Sequence, residues 1–369
     1  MMSVYLVNKG ENLNNLLKVE DEYSYKPFKY PEAYNFYSVH EDLHWTKNEI
    51  DLSSDVKDWN TKATEVDKFL ITNILRTFTT NEVAVGSGYD AELRIFKPQE
   101  VKMMLRCFAN RENIHIDAYS NFTDTVGEFN EDTFYNEWRQ YECMEEKLEY
   151  IHKARVKHFY QYIDIIRENH PDLTEDEIRE KANFIFRQDV ARMLAVYGGG
   201  TEGVMLFSQF AILMNFQRNG MFAGLSTTVD WSIRDENQHC EGHSWLFRTL
   251  IKENSEIWTD ELKFDIYEAF REIIKLEDNF LDFAFSLGEI KGLSLNDMKQ
   301  YIRYIADRRL LELGMKPNFK VKDNPLPWME EMINASSFSN FFDVKVTEYG
   351  KGTTKGDWEE ASSILEQFK

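Results

Sequence analysis

Residues 111–119, Arg-Glu-Asn-Ile-His-Ile-Asp-Ala-Tyr, contain the first of two Glu-x-x-His motifs in this chain. In a helix, Glu112 and His115 are three residues apart, so both side chains project from one face with Cβ atoms about 5–6 Å apart. A carboxylate and an imidazole at this spacing can chelate one metal ion. Tyr119 lies four residues further along the same face. A single motif of this kind is common by chance and usually lies on a solvated helix face.

The second copy of the motif is Glu236-Asn-Gln-His239. Apolar residues recur at helical spacing in four long segments, which are residues 61–88, 98–126, 187–217 and 225–250. Two of these segments carry Glu-x-x-His. Each of the other two has a glutamate among apolar residues, Glu82 and Glu202. A glutamate in such surroundings is costly to bury unless it is paired or binds a metal.

One carboxylate from each of two helices, with Glu-x-x-His from each of the other two, is the ligand set of dinuclear centres in ferritin-like bundles. Iron or manganese suits this mixture of carboxylates and imidazoles. We therefore predict an all-α, ferritin-like helical bundle with a four-helix dinuclear metal core and additional flanking helices. At the first ligand position, Asn81 stays open as the alternative register, because helix register cannot be read from sequence to a single residue. The six predicted ligands are Glu82, Glu112, His115, Glu202, Glu236 and His239.

Two further features lie close to these ligands. His243 is one turn beyond His239, but its small neighbours favour a different face, so it is not predicted to be a ligand. Three consecutive glycines, Gly198 to Gly200, precede Glu202 and predict a kink or a close backbone approach in a buried helix.

The composition limits the class of protein. The chain has 369 residues, of which 43% are hydrophobic, and its net charge is 43 − 64 = −21. This charge argues against a nucleic-acid-binding surface, which needs a basic stripe. The three cysteines are widely spaced and suggest a reducing compartment. No apolar run reaches the length of about 18 residues that a membrane span requires. We expect a soluble, cytoplasmic protein that does not interact with membranes.

The pattern divides the chain into three parts. Residues 1–44 are predicted to form an N-terminal arm with little regular structure, 45–340 the helical domain, and 341–369 a flexible C-terminal tail. Within the domain, Ser53, Ser54 and Asp55 are candidate caps of the helix that follows them. A capping box at Thr174 and Glu177 starts another helix. The glycines at 86 and 88 allow a break. Further helices are predicted at residues 132–168, 258–287 and 294–313.

These motifs resemble those of the small (beta) subunit of class I ribonucleotide reductase, over residues 45–349. The matching pieces also include Trp45 with Glu-Ile-Asp-Leu-Ser at 49–53, Arg234-Asp235 before Glu236, and a late tyrosine, Tyr349. The motifs Tyr-x-x-Tyr-Ile at 301–305 and Asn-Pro-Leu-Pro-Trp at 324–328 also match, as does the separation between Glu202 and Glu236, 236 − 202 = 34.

The resemblance implies a radical-generating ribonucleoside-diphosphate reductase subunit, part of a thioredoxin- or glutaredoxin-linked oxidoreductase. Two iron ions would react with oxygen and oxidise Tyr119 to a stable radical. Asp235 would hydrogen-bond to the ligand His115 and link it to Trp45, and Tyr349 would relay the oxidising equivalent to the large catalytic subunit. The large subunit then reduces ribonucleotides to deoxyribonucleotides.

The resemblance also implies the partners. The subunit would be a homodimer, and its final segment would dock into a groove of the large subunit through Trp358, Ile364, Leu365 and Phe368. Many family members have aspartate at the position of Glu82, and glutamate occurs in subgroups with mixed manganese–iron centres. Those members tend to lack the tyrosine found here as Tyr119, which favours iron, with manganese or a mixed pair as the alternative. The alternative function is another di-metal carboxylate oxidase or oxygenase of the ferritin-like fold, or an iron-storage bundle.

Overall fold

The structure, a computed structural model, describes residues 16–17, 24–127 and 129–333. These residues are predominantly helical, and within them the sole β-type pairing is an isolated bridge between Ile290 and Leu293. The predicted all-α class is therefore confirmed. None of the described helices is long and apolar enough to cross a membrane.

The helices follow one another with short connections. In chain order the α-helices are α1 (Pro31–Asp42), α2 (Ser53–Thr61), α3 (Glu65–Ile95), α4 (Gln99–Val126), α5 (Glu131–Phe134), α6 (Glu142–Lys153), α7 (Phe159–Asn169), α8 (Glu175–Leu194), α9 (Phe207–Arg218), α10 (Ala223–Glu253), α11 (Asp260–Ala284) and α12 (Leu295–Glu312). A π-helix, Ala195–Leu206, joins α8 to α9 without a break. Short 3₁₀ turns lie at Lys47–Glu49, Glu137–Gln140 and Ser255–Ile257.

The first pair of central helices is α3 and α4. The hydroxyl of Thr64 accepts a hydrogen bond from the backbone N–H of Asp67 and caps α3. Pro98 precedes α4, and Gly127 ends it in the left-handed conformation, with φ 73°. Only residues 96–98 connect the two helices, which pack along each other and therefore run antiparallel. α3 continues through the glycines at 86 and 88, so the break that they allow does not occur.

The second pair is formed by the α8–π–α9 segment and α10. The predicted capping box at Thr174 and Glu177 starts α8. The start of α10 is capped by carboxylates from α2. Asp55 accepts hydrogen bonds from the backbone N–H groups of Gly224 and Leu225, and Asp58 accepts one from Phe222. The prediction that Ser53, Ser54 or Asp55 caps α2 was therefore wrong, since the cap position of α2 is Leu52.

The glycine run lies inside the π-helix. A Cβ atom at Gly198 would be 2.2 Å from the Cβ of His243 on α10, and one at Gly200 would be 2.3 Å from Cδ1 of Ile273 on α11. Real Cβ atoms do not approach other atoms so closely. The run therefore allows α10 and α11 to pack directly against the backbone that carries Glu202.

Two predictions of local structure were wrong. Residues 31–42 form α1, with Pro31 in its first turn and Ala33 and His40 buried, where an arm with little regular structure was predicted. The many aromatic residues of this segment conceal its helical spacing. Residues 132–168 are divided among α5, a 3₁₀ turn, α6 and α7, where a single helix was predicted.

The chain divides into two compact units, Met1–Pro327 and Trp328–Lys369. Of the second unit, residues 328–333 are described and are helical. Tyr349 and the predicted docking segment at the C-terminus lie outside the described residues.

Candidate metal centre

The structure brings the six predicted ligands together in the middle of the bundle. They form two groups whose candidate ligand atoms lie within 4.8 Å of one another, Glu82–Glu112–His115–Glu236 and Glu112–Glu202–Glu236–His239. Glu112 and Glu236 belong to both groups. α3 contributes Glu82, α4 contributes Glu112 and His115, the π-helix contributes Glu202, and α10 contributes Glu236 and His239. At the first ligand position the structure places Glu82 in the first group, with Oε1 3.8 Å from His115 Nδ1.

The spacing of these atoms suits two adjacent cations. His115 Nδ1 lies 3.1 Å from Glu236 Oε1. On the other side, His239 Nδ1 lies 3.1 Å from Glu112 Oε1 and 3.2 Å from Glu236 Oε2. Neighbouring ligands of an octahedral ion with bonds of about 2.1 Å are about 3 Å apart. Glu112 and Glu236 each place one oxygen near His115 and the other near His239, so both line each of the two candidate positions.

The same atoms have no hydrogen-bond partners among the described residues. They are both carboxylate oxygens of Glu82, Glu112 and Glu236, Oε2 of Glu202, and Nδ1 of His115 and His239. A buried polar atom without a partner costs about 1–3 kcal/mol, and more if it is charged. Four carboxylates and two neutral imidazoles balance the charge of two divalent cations. The donor set thus fits a pair of metal ions.

The protein's own charges shift the pKa values of these groups strongly. Burial lowers the pKa of His115, but its polar contacts with the carboxylates of Asp235, Glu112 and Glu236 hold that pKa well above its usual range. The pKa of His239 is raised in the same way, since the negative charges of Glu236 and Glu112 outweigh burial. Burial and the neighbouring charge of Glu112 raise the pKa of Glu82. Without cations, protons bound to these side chains therefore offset part of the negative charge of the carboxylates.

Asp235 lies directly behind the His115 imidazole. Its Oδ2 accepts a hydrogen bond from the indole Nε1–H of Trp45 at 2.7 Å and lies 3.3 Å from His115 Nε2. The Trp45 ring also stacks on the His115 ring, with centroids 5.9 Å apart. Burial raises the pKa of Asp235, but the contact with His115 and the positive charge of Arg111 outweigh burial and hold that pKa well below its usual range. The carboxylate is therefore charged and can orient His115.

Tyr119 lies beside the Glu82 end of the centre. Its side chain is fully buried, and its ring packs on Phe78 with centroids 4.7 Å apart. Its hydroxyl makes no hydrogen bond to a carboxylate among the described residues. Burial and the negative charge of Glu82 outweigh the nearby Ser232 hydroxyl and raise the pKa of Tyr119 well above its usual value. The phenol is thus protonated and shielded from water.

At the other end, Glu202 has neighbours that the sequence did not reveal. Its Oε1 accepts a hydrogen bond from the hydroxyl of Tyr89 at 2.6 Å, and its Oε2 lies 3.1 Å from His243 Nδ1. The other ring nitrogen of His243 lies 3.1 Å from Glu92 Oε1. Burial lowers the pKa of His243, but the two carboxylates raise it to about 10. His243 therefore faces Glu202, where the sequence favoured a different face, and it belongs to neither group of candidate ligands.

Two more polar residues near the centre were also missed. His40 on α1 places Nε2 3.2 Å from Nε2 of the candidate ligand His239. Arg111 is buried, and its Nε lies 3.4 Å from Asp235 Oδ2. Arg111 directly precedes the candidate ligand Glu112 in the sequence, so its position near the centre could have been predicted. His40 gave no signal, since its partner is 199 residues away.

A family model described as "Ribonucleotide reductase, small chain" matches residues 22–325, most of the chain. The chain belongs to the ribonucleotide reductase small-chain family. A family member at 38% identity is a probable ribonucleoside-diphosphate reductase small subunit of Invertebrate iridescent virus 3, aligned over 92% of this chain and 87% of that protein. The ribonucleoside-diphosphate reductase subunit beta of Chlamydia pneumoniae is 27% identical, over 88% of each chain.

Solved structures of family members share the fold. The R2 subunit of ribonucleotide reductase from Clostridium botulinum has a TM-score of 0.70 at 22% identity, covering 90% of this chain and 99% of that one. A dimanganese(II)-NrdF from Streptococcus sanguinis has a TM-score of 0.64 at 17% identity, covering 85% and 99%. The ferritin-like fold is thereby confirmed. The chain is a small subunit of ribonucleoside-diphosphate reductase, of a family with a dinuclear metal centre, and acts with a large subunit.

Proposed function

We propose that Glu82, Glu112, His115, Glu202, Glu236 and His239 would bind two iron ions, and that Tyr119 would give up an electron and a proton to become the radical that serves the large subunit. Two overlapping groups of buried ligand atoms, which share Glu112 and Glu236, are the observation that carries this proposal. Most of these atoms have no hydrogen-bond partner among the described residues. When bound, the metal pair supplies the oxidation by molecular oxygen that removes an electron from a phenol.

The protein's part is to hold and protect Tyr119. Because its pKa is raised, the phenol keeps its proton until it is oxidised, and the proton would then leave with the electron and pass to Glu82, the carboxylate whose charge acts most strongly on Tyr119. Burial against Phe78 excludes water, so the resulting neutral radical has no solvent donor next to it. Both features favour a long-lived radical over a transient one.

We also propose a route outward from the centre. Asp235 Oδ2 lies between His115 Nε2 and Trp45 Nε1, which connects a ligand to a buried indole through two polar contacts. Trp45 would exchange the oxidising equivalent with Tyr349, and the C-terminal segment would dock on the large subunit. The active form would be a homodimer.

The metal can be iron or manganese on ligand chemistry alone. The Streptococcus sanguinis relative is named as a dimanganese(II) protein. The presence of Tyr119 next to the centre leads us to propose iron, with manganese or a mixed pair as the alternative.

The test is to load metal-free protein with ferrous iron, expose it to oxygen and record the EPR spectrum. We expect a tyrosyl-radical signal whose spectrum belongs to Tyr119, so that Tyr119→Phe abolishes that signal. A wild-type signal that appears only with manganese and an activating flavoprotein would refute the iron assignment. Metal analysis of protein isolated from its own host then identifies the native pair.

A further inference from the structure

A second tyrosine, Tyr89, faces the metal centre from the end opposite Tyr119. Glu82 and Tyr89 are seven residues apart on α3, two helical turns along one face, whereas Tyr119 lies one turn beyond His115 on α4. Because α3 and α4 are antiparallel, the two tyrosines extend from the ligands in opposite directions. Their ring contacts agree with this arrangement, since Tyr119 packs on Phe78 and Tyr89 lies near Phe108.

Tyr89 is as well shielded as Tyr119. Its side chain is 2% exposed, and its ring lies among the rings of Phe108, His239 and His243, with centroids 5.5–6.2 Å away. A radical formed there would be protected from water.

The hydroxyl of Tyr89 differs from that of Tyr119 in one respect. It donates a 2.6 Å hydrogen bond to Glu202 Oε1, and Glu202 belongs to the second group of candidate ligands. Oxidising a phenol at neutral pH requires a place for its proton, and a carboxylate within hydrogen-bond distance supplies one. Among the described residues, the hydroxyl of Tyr119 makes no hydrogen bond to a carboxylate, so its proton has no acceptor in direct contact.

We propose that Tyr89 is a second oxidisable tyrosine of this centre, which takes the oxidising equivalent when Tyr119 cannot supply an electron. This inference rests on the proposed oxidation of Tyr119 at a metal pair. In the step, the O–H bond of Tyr89 breaks, the proton passes to Glu202 Oε1, and the electron reduces the oxidised metal pair by one equivalent. Molecular oxygen is the terminal oxidant, and a neutral phenoxyl radical remains on Tyr89.

The position of Tyr89 also determines whether its radical lies on the proposed route to the large subunit. The Asp235–Trp45 connection leaves the centre at His115, whereas Tyr89 contacts Glu202 at the other end. An oxidising equivalent on Tyr89 therefore lies off the proposed route to the large subunit. Tyr89 would act as a protective donor and not as the donor for turnover.

The experiment compares wild-type protein with Tyr119→Phe, Tyr89→Phe and the double variant Tyr119→Phe/Tyr89→Phe. Each is loaded with ferrous iron, checked for iron content, mixed with oxygen and freeze-quenched for EPR. We expect Tyr119→Phe to give a tyrosyl signal distinct from the wild-type one, and the double variant to lose it. The matched control is Tyr119→Phe/Tyr197→Phe, which should keep the signal, because the buried Tyr197 hydroxyl donates to the backbone carbonyl of Ile151 and to no ligand carboxylate.

The possible outcomes distinguish a failure of the proposed role of Tyr89 from a failure of the proposed oxidation of Tyr119. A wild-type radical that Tyr119→Phe abolishes, with no tyrosyl signal at any quench time, overturns the role of Tyr89 alone. A wild-type signal that survives Tyr119→Phe unchanged but is lost on Tyr89→Phe overturns the role of Tyr119 and also the protective role of Tyr89, which would then be the principal donor. No tyrosyl signal in any of the proteins overturns both.

If Tyr89→Phe reduces iron binding, the experiment instead uses a Tyr119→Phe protein in which Tyr89 is replaced by difluorotyrosine. This residue keeps the hydroxyl that donates to Glu202, and its fluorine nuclei split the EPR signal of a radical located there. A signal without fluorine splitting would overturn the proposal.

Discussion

Asp235 and His40 give the two ligand histidines different surroundings. His115 has a charged carboxylate, Asp235, behind Nε2, whereas His239 has the imidazole of His40 there, 3.2 Å away. Burial holds the pKa of His40 well below its usual range, so its ring is neutral, and its Nε2 accepts a hydrogen bond from Arg111 Nε–H at 3.4 Å. A carboxylate makes a ligand imidazole more electron-rich than a neutral imidazole does. We therefore expect the two metal positions to be inequivalent.

From the two ligand histidines we predict that metal binding releases protons and that metal affinity falls as the pH is lowered. The pKa values of His115 and His239 are raised well above their usual range, so in metal-free protein at neutral pH both rings are protonated and each must lose a proton to coordinate. Lowering the pH increases this competition, so metal affinity falls. Calorimetric titration with manganese(II), in buffers of different ionisation enthalpy and at several pH values, measures both effects. An affinity independent of pH, with no proton release, would contradict the assignment of these histidines.

Among the elements, the π-helix is the unusual one. Most π-helices are single-turn bulges, often at functional sites, but this one extends over 12 residues. It carries Glu202 to the centre, and its glycines let the neighbouring helices approach. The contact between Gly198 and His243 is important because His243 in turn lies against Glu202. Packing of the π-helix and placement of a ligand are therefore coupled.

We predict that Gly198→Ala destabilises the protein and reduces metal content. The new Cβ would lie 2.2 Å from the Cβ of His243, so α10 or the π-helix must move, at a cost of about 1–3 kcal/mol. Gly86→Ala is the matched control. Its Cβ would lie 3.6 Å from Glu112 Cβ, an ordinary contact, and alanine favours a helix interior by about 0.5–1 kcal/mol. Thermal unfolding and metal analysis compare the two variants. Equal stability of both would show that the close packing at Gly198 is unimportant.

In the whole molecule, the centre depends on segments that are far apart in the chain. Its ligands extend from Glu82 to His239, and the residues that support them begin at His40 on α1. Asp55 and Asp58 on α2 cap the start of α10, which carries two of the ligands. The ligand set is therefore complete only when the bundle has formed.

At the scale of the assembly we predict that the C-terminal segment couples the subunit to its partner. Truncation after Lys355 should leave radical formation unchanged, because the candidate ligand set ends at His239, but it should abolish turnover with the large subunit. EPR and a ribonucleotide reduction assay measure the two properties on the same preparation. As a control, a free peptide of residues 356–369 should inhibit the full-length protein. Turnover that survives the truncation would refute the docking role.

Helix ends that are capped by neighbouring residues could be predicted from the sequence, whereas caps from distant residues could not. The predicted ends of α4 at Pro98 and Gly127, and the start of α8 at Thr174, agree with the structure because caps are local. Asp55 was assigned to the wrong helix, since the N–H groups that it accepts from are 169 and 170 residues away. Local composition cannot show which helix end a capping side chain will reach.

The sequence by itself determined the helical class, the family and the two Glu-x-x-His pairs of the candidate ligand set, because Glu-x-x-His places both side chains on one helix face whatever the rest of the chain does. Only the tertiary structure decided which atoms surround that set. The hydrogen bond from Tyr89 to Glu202 joins residues 113 apart, and the contact of His40 with His239 joins residues 199 apart. Helical periodicity is a property of neighbouring residues, whereas these contacts arise from the packing of separate helices.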